Sequence, residues 1–331
     1  MELSGVELWW LSLALLIPLL LVWVLLPVFY WRRACSDLLE SQIARTSFQY
    51  YPGQLVPPMW RPGEVSLSVV VPAMNEAERL PYMLQEAMAY LEDRAAAAPL
   101  GGFTYEIIVV DSRSSDDTYN VALRSVRQHR RPANATGLIP QLGELRVLEL
   151  TSNLGKGFAA RVGMLVARGD LVLLADADGA TRMADVERLE QALEKRSTDG
   201  SQIAFGSRYH LHSEWPSSRR VRETVFSISD ALAWLFVGMP VYDAHCGFKL
   251  FRARAGKALF SSLHLFGWSF DIELIILTRL LGIVIVEVPV TYTDMPGSKF
   301  NSVTDSLAML RDTVLAIMLY LLRVWYPSVL M

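Results

Sequence analysis

Several acidic residues in this sequence come directly after short apolar runs, a pattern suited to metal-assisted phosphate chemistry. Leu67–Val71 leads into Pro72-Ala73-Met74-Asn75-Glu76, Glu106–Val110 into Asp111, and Leu171–Ala175 into Asp176-Ala177-Asp178-Gly179. If these runs are strands of one open parallel sheet, residues beyond their carboxyl ends line a single crevice where ligands bind. One acid in such a place is an ordinary cap or loop residue, but three sites on one edge are hard to ascribe to chance. The Asp176/Asp178 pair is the sharpest feature. Two carboxylates two residues apart reach one cation, and Mg²⁺ or Mn²⁺ accepts such oxygen ligands while completing its shell with phosphate oxygens and water. A cation held in this way neutralises charge building on a departing diphosphate.

Other residues extend the pattern. Asp111-Ser112-Arg113-Ser114-Ser115-Asp116-Asp117 puts Asp111 where a base or ribose needs an acceptor; the alternative is a turn followed by a helix cap at Asp116 or Asp117. Asn153-Leu154-Gly155-Lys156-Gly157 precedes a helix, so a phosphate-cradling loop and a plain helix start are both open. It lacks the spacing of a Walker A loop. Gly206-Ser207-Arg208 is followed by Arg219, Arg220 and Arg222 and then by apolar Val225–Val237. Arginine forks match phosphate geometry, so these residues and Lys299 are candidates for gripping a lipid phosphate; plain headgroup binding is the other reading. Trp268-Ser269-Phe270-Asp271-Ile272-Glu273 joins an aromatic to two acids, readable also as a cap at Asp271 and a surface acid at Glu273. The five histidines form no pair at metal-ligand spacing.

The elements that must hold these residues follow a βαβα pattern. Strands are expected at Leu67–Val71, Glu106–Val110, Arg146–Leu150, Leu171–Ala175 and Ile203–Phe205, with helices at Leu80–Leu91, around Val121, at Phe158–Ala167 and at Met183–Leu193. Near-continuous Val/Ile/Leu strands between helices predict a mostly parallel sheet covered on both faces. Ala95–Ala98 reads as a loop or helix end.

The chain has 331 residues, 52% of them hydrophobic, with a mean hydropathy of +0.27 and a net charge of −3. That balance does not suggest a nucleic-acid binder. Leu8–Trp31 carries no charge and reaches about 36 Å as a helix, enough to span a bilayer. Arg32 and Arg33 follow it while Glu2 and Glu7 precede it, so the rest of the chain is expected in the cytosol. Two isolated cysteines, Cys35 and Cys246, agree with a reducing compartment. Asn134-Ala135-Thr136 is a glycosylation sequon that matters only in a lumen. The expected organisation is an anchor over residues 1–33, a Pro-rich linker over 34–66, a catalytic domain over 67–300 with an interfacial segment about 219–240, and an amphipathic membrane-associated helix over 301–331. Val225–Val237 and Leu307–Leu322 are apolar enough for a membrane interface, but core helices are the equal alternative.

The runs VVVPAMNE, DSRSSD, NLGKGFAARVG, LLADADGAT, GSR, CGFKLF, WSFDIEL and GSK occur here in the order seen in dolichyl-phosphate β-glucosyltransferases, and the chain resembles that family over roughly Leu67–Lys299. The family is grouped with the dolichol-phosphate mannose synthases. The resemblance implies a GT-A fold, UDP-glucose as donor, dolichyl phosphate as acceptor, the endoplasmic reticulum membrane as location and a role in lipid-linked oligosaccharide assembly. It implies nucleotide contacts from Pro72, Ala73, Glu76, Asp111, Lys156, Asp176 and Ala177. It makes Asp178, with Asp176, the ligand of Mg²⁺ or Mn²⁺, and assigns the acceptor phosphate to Arg208 and Arg219, with Arg222 and Lys299 beside them. Asp178, Arg208, Arg219 and Asp271 are then the catalytic candidates. Two departures stand out: Ala180 replaces a metal-ligating Gln of the mannose synthases, and Arg113 sits where many relatives have Gly or Ser. The QxxRW motif of processive synthases is absent, which favours transfer of one sugar. A mannose synthase using GDP-mannose and a catalytically inactive membrane scaffold are the rival readings, and homo-oligomerisation is left open.

Overall fold

The computed structural model describes residues 63–99, 102–129, 143–196, 201–214, 238, 241–297, 299, 301 and 304–327. The expected span Leu8–Trp31, most of the linker, the sequon, Arg219, Arg220, Arg222 and Val225–Val237 lie outside them. In chain order the elements are β1 (Val65–Ala73), α1 (Leu80–Ala97), β2 (Tyr105–Asp111), α2 (Thr118–His129), β3 (Gly143–Glu149), α3 (Lys156–Val166), β4 (Gly169–Leu174), α4 (Val186–Lys195) and β5 (Ser201–Ser207). Then follow β6 (Lys249–Arg252), α5 (Ala253–Ser262), α6 (Phe270–Leu281), β7 (Val284–Pro289) and α7 (Thr304–Leu321).

The strands form one sheet in the order β3-β2-β1-β4-β6-β5-β7. β1, β2, β3 and β4 are parallel, as is β5 to β7, while β6 runs antiparallel to both β4 and β5. The buried runs of β1 and β2 explain their central place, because only residues covered on both faces can be apolar throughout. On one face Leu80, Leu84 and Leu91 of α1 and Val186, Leu189 and Leu193 of α4 pack with Leu67, Val69 and Val71. On the other, α3 lies so close to the sheet that a Cβ on Gly163 would meet Val70 Cγ1 at 2.3 Å.

The chain runs outward from β1 through β2 to β3 and then returns to β4 on the other side of β1. The strand order therefore reverses between β1 and β4, and their carboxyl ends part to open a crevice. Pairing of β1 with β4 stops at Val70↔Leu174, whereas pairing with β2 continues to Ala73↔Asp111. This is why β1 passes through Pro72 instead of ending there: on the β4 side no ladder bond is needed from a residue without an N–H.

Other differences have similar causes. Val65 and Ser66, assigned to the linker, belong to β1. The Met183–Leu193 helix begins as a 3₁₀ turn at Met183–Asp185. β6 was not expected as a strand, because it has four residues and begins with a buried lysine. Among the described residues no helix is long and apolar enough to cross a membrane. In α7, Met309, Leu315, Ala316 and Leu319 are buried in the core, while Leu307, Val314, Leu321 and Leu322 are exposed.

Candidate active site

A cavity of 310 Å³ opens at the β1/β4 crevice, lined among others by Pro72, Ala73, Glu76, Arg79, Lys156, Asp176, Asp178, Arg208, Asp271 and Lys299. The β4 strand delivers Asp176-Ala177-Asp178 as a turn whose Ala180 N–H donates to Asp178 Oδ1 at 3.1 Å. From α3, Lys156 Nζ lies 2.6 Å from Asp176 Oδ1. From the β1 turn, Arg79 holds Glu76 by two hydrogen bonds, Nε to Oε2 at 2.7 Å and Nη2 to Oε1 at 2.5 Å, and its Nη1 stands 3.7 Å from Asp178 Oδ2. Asp178 thus has a cation only at a distance, whereas Asp176 has one in contact.

The titration behaviour follows. Burial would lift Asp176, but the Lys156 ammonium beside it holds the carboxyl below the usual carboxylate range. Burial and the neighbouring Asp176 push Asp178 up. Burial also raises Glu76, against the opposing pull of Arg79. Asp178 is therefore a carboxylate short of positive charge, which suits it to a divalent cation. The two carboxylates offer an oxygen set suited to Mg²⁺ or Mn²⁺. Among the described residues no group of three or more His, Cys, Asp or Glu is arranged to hold a metal.

Asp111 is 1% exposed, and its oxygens accept the Ser114 N–H at 3.1 Å and the Ser114 hydroxyl at 2.5 Å. In this state it shapes the loop after β2, and Ser112 is the neighbour that lines the cavity. Arg113 takes a φ of +55°, the left-handed region that glycine favours, and its Nη1 donates to the Thr151 carbonyl at 3.1 Å. The loop keeps the shape a glycine would take, at a strain cost on the order of 1 kcal/mol. Gly155 has φ +105°, and a Cβ there would meet the Phe266 carbonyl at 2.5 Å. The Phe158 N–H donates to that carbonyl at 3.2 Å, and the Lys156 side chain lines the cavity.

Arg208 and Asp271 also line the cavity. Arg208 follows β5, is 7% exposed, and lies 5.2 Å from the Tyr292 ring centre. Asp271 begins α6 and accepts from the fully buried Lys249 Nζ at 2.7 Å. Glu273 is no surface acid: it is 0% exposed and accepts the N–H groups of His264 and Leu265 and the Tyr320 hydroxyl. It ties α6 to α7, from which Met309 reaches the cavity. Sequence reading missed Arg79, Asp243, Tyr292 and Lys249; only Lys249 lay in a run already singled out, CGFKLF.

The family model described as Glycosyl transferase family 2 matches residues 68–260. A dolichyl-phosphate β-glucosyltransferase of Drosophila melanogaster is 41% identical over 79% of this chain and 77% of its own length. That of Homo sapiens is 38% identical over 82% and 81%, and that of Saccharomyces cerevisiae 33% over 79% and 77%. Among solved structures, glucosyl-3-phosphoglycerate synthase of Mycobacterium tuberculosis superposes with a TM-score of 0.51 at 23% identity, covering 78% of this chain and 80% of that one, a likeness of fold. The same synthase has been solved with Mn²⁺, UDP-glucose and phosphoglyceric acid, at a TM-score of 0.50 and 22% identity over 78% and 84%. The parallel sheet, the crevice at the strand reversal and the acidic turn after β4 thus belong to a GT-A glycosyltransferase, and the chain is a member of glycosyl transferase family 2 within the dolichyl-phosphate β-glucosyltransferases.

Proposed function

We propose that this enzyme transfers glucose from UDP-glucose to dolichyl phosphate with inversion, giving dolichyl β-D-glucosyl phosphate. The observation that carries this reading is one cavity lined both by an acidic pair, Asp176 and Asp178, and by cationic Arg208 and Lys299. Pro72, Ala73 and Glu76 at the end of β1 and Lys156 on α3 form the donor side, with Asp111 behind it. Asp178 and Asp176 would hold Mg²⁺ or Mn²⁺, which when bound neutralises charge on the UDP leaving group. Arg208 and Lys299 serve the acceptor phosphate; Arg219 and Arg222, expected to act with them, lie outside the described residues. A phosphate monoester has its second pKa near ~6, so it arrives largely ionised and needs no strong base. The side chains then hold two anionic reactants close and aligned. Asp271, anchored by Lys249, orients the sugar or a cationic neighbour.

Purified protein incubated with labelled UDP-glucose and dolichyl phosphate is expected to yield label in the extracted lipid. Label from GDP-mannose instead would overturn the donor assignment, and none from either would favour an inactive scaffold. Chelation by EDTA is expected to stop transfer and added Mn²⁺ or Mg²⁺ to restore it; undiminished turnover in EDTA would remove the cation from the reading.

The proposed setting is the endoplasmic reticulum membrane with the cavity on the cytosolic side. Support comes from the exposed Leu307, Val314 and Leu321 of α7, seven residues apart and so on one helical face. Protein lacking Met1–Trp31 is expected to float with liposomes, though less completely than the full chain. Its full recovery in the soluble fraction would mean that residues 1–31 alone recruit the enzyme.

A further inference from the structure

The run Asp243-Ala244-His245-Cys246-Gly247-Phe248-Lys249 touches three residues that line the cavity, Arg208, Asp176 and Asp271. Asp243 accepts from Arg208 Nε at 2.8 Å, from Nη2 at 2.7 Å and from the Arg208 backbone N–H at 2.7 Å. Asp243 is itself held: its N–H and that of Tyr242 each donate to the Glu287 carboxylate of β7 at 2.9 Å. A guanidinium offers five donors, and these bonds occupy one edge, leaving Nη1 directed by that grip. Gly247 lies against Asp176 so closely that a Cβ would stand 2.0 Å from Asp176 Oδ2. Lys249, 0% exposed, donates to the Cys246 carbonyl at 2.6 Å and to Asp271 at 2.7 Å.

The topology explains the convergence. Because β6 is antiparallel, its first residue pairs with the last of β4, Leu174↔Lys249, and with Phe205 near the end of β5. The residues leading into β6 therefore pass the carboxyl ends of both strands, where Asp176 and Arg208 leave the sheet.

We infer that Asp243–Lys249 is a positioning segment: Asp243 sets the Arg208 guanidinium, Gly247 leaves the space that Asp176 fills, and Lys249 sets Asp271. The inference rests on the proposed reading in which Arg208 serves the acceptor phosphate and Asp176 the donor side. Asp243, Gly247 and Lys249 act through these three groups.

The test uses the full chain in detergent, with steady-state kinetics against dolichyl phosphate and calorimetry with UDP and Mn²⁺. Asp243→Asn is expected to raise the acceptor KM roughly 10-fold or more, the scale of a lost charge-assisted contact, with UDP affinity unchanged. In an Arg208→Ala background the same substitution is expected to add nothing. Gly247→Ala is expected to weaken UDP roughly 10-fold or more, on the same scale, without moving the acceptor KM. A purely structural role would lower the active fraction and leave KM and UDP affinity alone, and that result, or additive effects of Asp243→Asn and Arg208→Ala, overturns the inference. If Arg208→Ala raises the acceptor KM but Asp243→Asn does not, positioning fails while the reading of Arg208 stands; if Arg208→Ala is silent, that reading fails first. Should Asp243→Asn not fold, Glu287→Gln loosens the same acid and must raise the acceptor KM in the same direction; an unchanged value overturns the inference.

Discussion

Asp178→Ala is expected to lower transfer by at least about 10³-fold, the scale of removing one preorganised charge-stabilising group. The change in unfolding free energy is expected to stay within about 1 kcal/mol, since the losses are one hydrogen bond from Ala180 and a loose 3.7 Å contact with Arg79, and repulsion from Asp176 is relieved. Asp178→Asn should be equally inactive, because it keeps the shape and removes the charge that draws a divalent cation. Measured turnover within tenfold of wild type, with ordinary metal dependence, would sink the assignment of Asp178.

The second large effect lies at the other end of the sheet. Glu106 near the start of β2 is 0% exposed and accepts from the Ser68 hydroxyl at 2.6 Å, Arg146 Nη1 at 2.8 Å, the Arg168 N–H at 2.7 Å and Arg168 Nη2 at 2.9 Å. Glu106→Ala removes the buried carboxylate that pairs with Arg146, 3% exposed, and with Arg168. Breaking a buried pair from one side costs about 3–5 kcal/mol. Denaturant titration checks this, and the transfer rate per folded molecule should be unchanged because Glu106 lies at the opposite end of the strands from the cavity. Loss of under 1 kcal/mol, by the same estimate, would mean water or a shifted arginine replaces the pair.

The same group predicts a pH effect. Burial alone would raise Glu106, but Arg146 and Arg168 outweigh it, so the folded carboxyl titrates below its ordinary value. A lowered folded pKa contributes stability that is fully present above the unfolded value, near ~4.3, and is lost as pH falls through the folded pKa. Wild-type stability should therefore fall on acidification below about pH 4, and the fall should be shallower in Glu106→Ala. Parallel slopes for the two proteins would exclude Glu106 as the source.

Local sequence pointed to β1, β2 and β4, because their apolar runs are short and bounded by turn residues, and those of β1 and β2 are rich in β-branched residues, which favours a buried strand over a helix. It also determined the acidic turn after β4, since charged residues directly after such a strand must leave the sheet at its carboxyl edge. At Leu307–Leu322 packing shows which face of the helix the core covers, something composition alone cannot say. The grip of Asp243 on Arg208, the contact of Gly247 with Asp176 and the Lys249–Asp271 pair join residues 35, 71 and 22 positions apart. No local pattern encodes such partners, because they depend on an antiparallel strand being inserted between β4 and β5. Glu273 shows the limit most plainly: as a sequence it is a polar residue on an amphipathic helix, and only the approach of His264 and Tyr320 supplies the hydrogen bonds that allow its charge to be buried.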